Sequence, residues 1–271
     1  MAFRIAQVSD AHLSARLPLF EGNFDLAADA VRTAAPDLVI ATGDLSLDGA
    51  DHDADLHHAQ ARHAALGLDW LAVPGNHDVG DATVLGAKQP ADAARRDRWE
   101  AVFGPGRFTR DVPGWRLIGL DTQGLNETDG ADQWDWLEAA IAGAGSRRIA
   151  LFGHKPLTEE GLDDDAVNYW PVLPAPRARL LALFGATPPA FVASGHVHQV
   201  RDHAADGLRQ IWAPAISFLV GDAWHPPLGE KYLGWVEHLL HADGAAEHRF
   251  HRLEGATPHD LGLMPEVYGP Q

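Results

Sequence analysis

The segment "VASGHVHQ", residues 192–199, ends an apolar run at Gly195 and then presents His196 and His198 one residue apart. Four earlier apolar runs end in a similar way: "FRIAQV" runs into "SDAH", "LVIA" into "TGD", "LAV" into "PGNHD" and "RIALF" into "GHKP". All five are followed by Asp, Asn or His, and four place a glycine beside that residue, where the backbone can turn sharply. The resulting set is Asp10, His12, Asp44, Asn76, His77, His154, His196 and His198. Imidazole, carboxylate and carboxamide oxygen without sulfur suit Zn, Mn, Fe or Co better than copper(I) or an iron–sulfur cluster. With His77 set aside, the seven remaining groups exceed what one tetrahedral ion takes. They suit two ions sharing a carboxylate, as in two-metal phosphoryl-transfer sites. On that reading His196 and His198 each serve a different ion.

For such distant residues to meet, the elements that carry them must end on one edge. Short β-rich runs alternate with helical stretches: Phe3 to Val8, a helix near Asn23 to Thr33, Leu38 to Ala41, a helix near Ala54 to Leu66, Leu71 to Val73, then a helix near Ala91 to Phe103. This alternation reads as βαβ units and a largely parallel sheet, whose strand ends share one rim. A hairpin follows at 108–120. Then come a helix near Gln133 to Ile141, a strand at Arg148 to Phe152, a helix opened by Pro176 and closed by Gly185, and a strand at Phe191 to Ala193. From about His198 onward the pattern is strand and turn, with "ADG" as a hairpin turn. The assembly expected is an α/β fold, a four-layer α/β/β/α sandwich of two mixed sheets flanked by helices. It forms a single domain over 1–271, with a motif-bearing core at 1–213 and a strand-rich addition at 214–271.

The chain has 271 residues, 46% of them hydrophobic, enough for one large core. Lys and Arg total 21 against 38 Asp and Glu, a formal net charge of -17, which repels nucleic-acid polymers and anionic membranes. Cysteine is absent, so disulfides and thiolate metal sites are excluded. The amino terminus enters a strand directly, without a basic segment followed by an apolar stretch. A cytoplasmic protein is expected.

In order, "DAH", "GD", "GNHD", "GH" and "GHVH" resemble the calcineurin-like metallophosphoesterase superfamily over Asp10 to His198. They look most like the class III cyclic-nucleotide phosphodiesterases and related small bacterial phosphodiesterases. The resemblance implies one metal held by Asp10, His12, Asp44 and His198, and another by Asp44, Asn76, His154 and His196, with Asp44 bridging. The ions implied are divalent or mixed-valence Mn, Fe or Zn. It also implies that His77 faces the substrate and stabilises or protonates the leaving oxygen, while a metal-bridging hydroxide attacks phosphorus. The position three after Asp44 is Leu47, where related phosphatases carry a second carboxylate, and the acid appears one later as Asp48. Asp48, Asp78 or backbone could orient His77 instead. The expected activity is hydrolysis of a small phosphodiester, cyclic nucleotide or glycerophosphodiester in type. A phosphomonoesterase acting on a nucleotide, sugar or lipid head group is the enzymatic alternative, and a non-catalytic scaffold on the same fold is the alternative of another class. A small phosphate ester is the expected partner. A homodimer is common among similar proteins, though no interface is visible in the sequence.

Several histidines read as structural. In "DGADHDADLHHAQARH", Asp51 or Asp53 can cap a helix on which Leu56, Ala59, His63 and Leu66 share a face. His203, His238, His241, His248, His251 and His259 lack partner spacing and read as surface or strand residues. Arg95, Arg96 and Arg98 read as a solvated helix face. In the loop at 159–177, Tyr169 or Trp170 could cover a nucleobase, but a Trp beside a Pro more often anchors its loop to the core.

Overall fold

A computed structural model describes residues 2–126, 131–185 and 188–264. The expected addition at 214–271 therefore falls outside the described residues at 265–271. In chain order the elements are β1 (Phe3–Val8), α1 (Glu21–Ala34), β2 (Leu38–Thr42), α2 (Asp53–Ala64), β3 (Trp70–Val73), α3 (Asn76–Val79) and α4 (Ala93–Phe103). Then follow β4 (Phe108–Val112), β5 (Trp115–Gly119), α5 (Thr122–Leu125), α6 (Ala131–Ala142), β6 (Arg148–Phe152), α7 (Pro174–Phe184) and β7 (Phe191–Ser194). The last are β8 (Arg201–Ala205), β9 (Leu208–Trp212), β10 (Phe218–Leu219), β11 (Gly234–Leu240), β12 (Ala246–Arg252) and β13 (His259–Asp260).

Two mixed sheets result. The first has the order β12-β11-β1-β2-β3, with β1, β2 and β3 parallel and β11 antiparallel to β1. The second has the order β4-β5-β6-β7-β9-β8, a parallel centre with antiparallel edges. Alternation along the strands sets the layers. On β2, Leu38 and Ile40 pack between the sheets with Trp115, Phe152 and Phe191, whereas Val39 and Ala41 face α1 and α2. On β6, Ala150 and Phe152 point into the same intersheet layer while Leu151 packs with Trp134, Leu137 and Leu180 of α6 and α7. The expected four layers are present. The strand-rich region after 213 is woven into them, because β11 pairs with β1 from Phe3↔Leu240 to Gln7↔Val236.

Two local expectations differ. The residue preceding α2 is His52, which makes no side-chain cap; Asp51 instead accepts from Gln89 and Arg95. Leu56, Ala59 and His63 do share the buried face of α2. Nor are the arginines of α4 simply solvated. Arg95 and Arg98 donate to the Ala50 carbonyl, and Arg95 also pairs with Asp51 and Asp92, so α4 is strapped to the turn before α2.

Candidate metal centre

All five loops end on the rim where the parallel strands of both sheets stop. Backbone bonds lock them together: Asp10 N–H donates to the Gly43 carbonyl at 3.1 Å, His12 N–H to the Asp44 carbonyl at 2.9 Å, and Ser217 N–H to the Asp10 carbonyl at 3.1 Å. The glycines permit the closeness. A Cβ at Gly75 would collide with Asp44, and one at Gly195 with Ser9 and Asp10. The structure therefore brings together Asp10, His12, Asp44, Asn76, His77, His154, His196 and His198, although they span nearly two hundred positions. Their potential ligand atoms fall into three groups, each within 4.8 Å: Asp10, His12 and His198; His12, Asp44 and His77; Asp44, His154 and His196.

The backbone at these residues is unusual. Among the described residues seven non-glycines have positive φ, and five of them are Asp10, His12, Asp44, His196 and His198, at 55°, 45°, 51°, 68° and 51°. Left-handed backbone costs an L-residue roughly 1 kcal/mol or more. Its concentration at one rim shows local backbone preference yielding to the need to aim side chains inward.

Each carboxylate is divided between scaffold and site. Asp44 Oδ1 accepts the His77 N–H at 2.8 Å, which leaves Oδ2 facing His154 Nε2 at 3.3 Å and His12 Nε2 at 3.6 Å. Asp10 accepts the His196 N–H through Oδ2 at 3.0 Å and Oδ1 at 3.3 Å, and Oδ1 also faces His198 Nε2 at 3.3 Å. The imidazoles are held from behind by carbonyls, which can only accept, so the bonded ring nitrogen carries the proton. His154 Nδ1 donates to Thr42 at 2.8 Å, His198 Nδ1 to Phe218 at 2.8 Å and His196 Nε2 to Tyr169 at 3.3 Å. The opposite nitrogens point inward, and His196 Nδ1 comes within 3.1 Å of His154 Nε2, itself 3.2 Å from Asn76 Oδ1. Carbonyl support behind a ligand histidine is the usual second layer of a metal site.

His12 gives the clearest test of fit. Its side chain is 1% exposed, yet neither ring nitrogen has a hydrogen-bond partner. Burial, reinforced by the nearby His77, pushes its pKa well below the ordinary value, so it stays neutral with a lone pair available. Burial also favours a neutral Asp44, but His154 and then His77 outweigh it and hold the carboxyl well below the usual range. Burial opposes charge on His154 too; Asp44 overrides it and raises that pKa to about 9. In the protein alone a proton serves the carboxylate, and a cation can take over that electrostatic role. An orphaned imidazole beside two buried carboxylates and a set of backed histidines fits divalent cations.

His77 is oriented by the backbone. Its Nδ1 donates to the carbonyl of Leu47 at 2.9 Å, so the residue standing in the acid's expected position supplies the contact through its main chain. Asp48 is engaged elsewhere, by Arg16 and Gln89. Asp78 is buried and braces the loops, accepting from the N–H groups of Leu45, Ser46 and Gly75. His77 Nε2 lies 3.9 Å from Asp44 Oδ2, and its side chain is 16% exposed, the most open of the histidines paired with Asp44.

Lys155, Tyr169, Trp170 and His225 were not among the residues singled out as ligands. Lys155, next to His154, is fully buried; its Nζ donates to both Asp81 carboxylate oxygens at 2.8 Å and to the Tyr169 carbonyl at 2.7 Å. That carbonyl is the one backing His196. Tyr169 also places its hydroxyl 3.1 Å from Asn76 Nδ2. The 159–177 loop is thus tied to two candidate ligands. Trp170 does anchor it, packing on His225 with ring centroids 4.1 Å apart. His225, buried between Glu159 and Gln199, joins the loop to the C-terminal region. A lysine directly after the candidate ligand His154, at the end of a buried strand, was the available sequence signal.

The chain and its fold are similar to those of known phosphoesterases. The chain is 28% identical over 275 residues to a 3′,5′-cyclic adenosine monophosphate phosphodiesterase from Pseudomonas aeruginosa, covering 92% of this chain and 90% of that one. It is 26% identical over 208 residues to a probable glycerophosphodiester phosphodiesterase from Arcobacter nitrofigilis, covering 72% of each. A dimetal phosphatase from Danio rerio shares the fold with a TM-score of 0.60 at 16% identity, over 93% of this chain and 99% of that one. The sequence model of the calcineurin-like phosphoesterases matches residues 3–200, the stretch that carries all five strand-end motifs, and the chain belongs to that family.

Proposed function

We propose that the protein is a binuclear metal-dependent phosphoesterase that hydrolyses a small phosphodiester. One cation is held by Asp10, His12, Asp44 and His198, the other by Asp44, Asn76, His154 and His196, and Mn, Fe or Zn suit the nitrogen–oxygen donor set. The observation that carries this reading is His12, buried between the two carboxylates with both ring nitrogens lacking partners. Two such cations would supply Lewis-acid charge to the phosphoryl group and make water acidic enough to attack at neutral pH.

The chain's own groups provide the rest. Asp44 presents one oxygen to both halves of the site because its other oxygen is occupied by the His77 N–H. His77 is held by the Leu47 carbonyl with Nε2 directed at the cavity, where it can stabilise or protonate the departing oxygen. Tyr169 and Trp170 line the cavity above the ligands. With both cations held, the site would be locally positive within a protein of net charge -17 and would draw small phosphate esters at short range, while the outer surface repels polyanions.

Diesterase relatives favour a diester over a monoester. Steady-state assays with paired mono- and diesters, before and after chelation, test this. Diester turnover that chelator abolishes and metal restores is expected. Preference for monoesters would overturn the substrate reading, and no turnover of any phosphate ester by the metal-loaded protein would favour a scaffold.

A further inference from the structure

A cavity of about 300 Å³ opens over the candidate ligands. Its floor is His12, Asp44, His196 and His198 of the candidate ligands, with His77. Its opposite wall is Trp170, Phe218, Val220, Trp224 and Leu261, nearly all from the C-terminal region that carries no motif. Six large hydrophobic residues are exposed among the described residues, and two of them, Tyr169 and Trp224, each 40% exposed, meet at this one cavity. Exposed aromatic surface is unfavourable in water and, when gathered beside reactive groups, marks recognition.

The wall is fixed in place by the centre it faces. Phe218 offers its carbonyl to His198 Nδ1, and its ring lies 4.7 Å from that of His12. β10, which carries Phe218, pairs with β13, and Leu261 follows β13 directly. No lysine or arginine lines the cavity among the described residues, and its ionisable groups are the candidate ligands, His77 and Tyr169. A second phosphate or a carboxylate on the substrate would find no counter-charge there. A polyol would find few hydrogen-bonding groups beyond the Tyr169 hydroxyl, already shared with Asn76. A flat, uncharged ring matches the wall in shape and polarity.

We infer that this wall is a specificity subsite for an aromatic substituent on the phosphodiester, either a nucleobase or a simple aryl group, with Trp224 as its principal determinant. The inference rests on the phosphodiesterase reading and narrows it away from glycerophosphodiesters. The test uses the full metal-loaded chain with 3′,5′-cyclic AMP, bis(p-nitrophenyl) phosphate and glycerophosphoethanolamine, in the native protein and in Trp224→Ala. At least one aromatic diester should exceed glycerophosphoethanolamine about tenfold in kcat/KM, the scale of one stacked ring. Trp224→Ala should shrink that preference about tenfold, chiefly through KM. Cyclic AMP alone showing the effect identifies a nucleobase, bis(p-nitrophenyl) phosphate alone an aryl group, and both a shared ring requirement. Preference for glycerophosphoethanolamine, or equal losses on all three, overturns the subsite. Calorimetry with AMP, p-nitrophenyl phosphate and glycerol 3-phosphate separates the two readings if no diester turns over. In that event the phosphodiesterase reading has failed. Tighter aromatic binding that Trp224→Ala removes still upholds the subsite, and equal binding of all three rejects it.

Discussion

Among the described residues, two buried histidine clusters differ in kind. At the rim, His12 has no hydrogen-bond partner, and the other histidines turn one nitrogen toward a carboxylate, a carboxamide or another imidazole while a carbonyl holds the second. Between the sheets, His238 spends both nitrogens inside the fold, Nδ1 on His248 at 2.7 Å and Nε2 on Gln7 at 3.0 Å, and its ring stacks on Phe191. Burial pushes both His12 and His238 well below the ordinary histidine value. A lowered pKa therefore does not distinguish a ligand from a packing residue. What separates them is the direction of the remaining lone pairs, the carboxylates opposite, and the left-handed backbone at His12, His196 and His198, which His238 lacks.

This contrast can be broken experimentally. Asp44→Asn should have the largest effect, lowering turnover by about 10³-fold or more and weakening both cations, as expected for a shared ligand; metal analysis and kcat on the same preparation check it. His77→Ala should keep its metal and lose about 10²- to 10⁴-fold in kcat, the range for one proton-transfer group. Full rate on a substrate with a poor leaving group would remove His77 from the mechanism. Lys155→Met should weaken metal binding about 10- to 100-fold by loosening the Tyr169 carbonyl behind His196. A titration with Mn²⁺ should show the loss in one of two binding steps, and Lys155→Arg should recover part of it.

His238→Leu should leave metal content unchanged and cost about 1–3 kcal/mol of stability, because Gln7 and His248 lose a buried partner. The pH dependence has a defined sign. His238 is pushed well below its unfolded value, and burial, then Arg209, pushes His248 down to about 4. The stabilisation from keeping these rings neutral is complete above about pH 6.5 and lost as pH falls through their lowered values, about 4 for His248. Denaturant melts should therefore show the gap between native protein and His238→Leu narrowing from pH 7 to pH 4. A gap that widens would mean the pair is charged in the fold.

Much of this architecture is legible in the sequence, because a buried parallel strand is an apolar run and its polar terminus stands out. Asp10, Asp44, Asn76, His154 and His196 each follow such a run. The intersheet role of His238 is not legible, since a histidine in a strand looks the same whether it meets solvent or Gln7. Nor is the positioning of His77, because a backbone carbonyl has no residue type; the side chain of Leu47 suggests a missing contact that its main chain supplies. Lys155 was hidden by the rarity of fully buried lysines, which exist only where a partner such as Asp81 removes the cost. The capping role expected of Asp51 or Asp53 failed because Arg95 and Gln89 compete for Asp51. The wall of Phe218, Trp224 and Leu261 depends on where an unremarkable pair of short strands docks, which no local pattern specifies.

The central claim is that seven side chains from five loops hold two cations that the reaction needs. Metal analysis of the purified full-length protein, followed by chelation and stepwise return of Mn²⁺, Fe²⁺ or Zn²⁺ with diester turnover measured at each addition, tests it directly. Close to two equivalents per chain, with activity lost on removal and regained as the second equivalent binds, is the predicted result. Full activity in metal-free protein, or saturation of both binding and rate at a single equivalent, would contradict it.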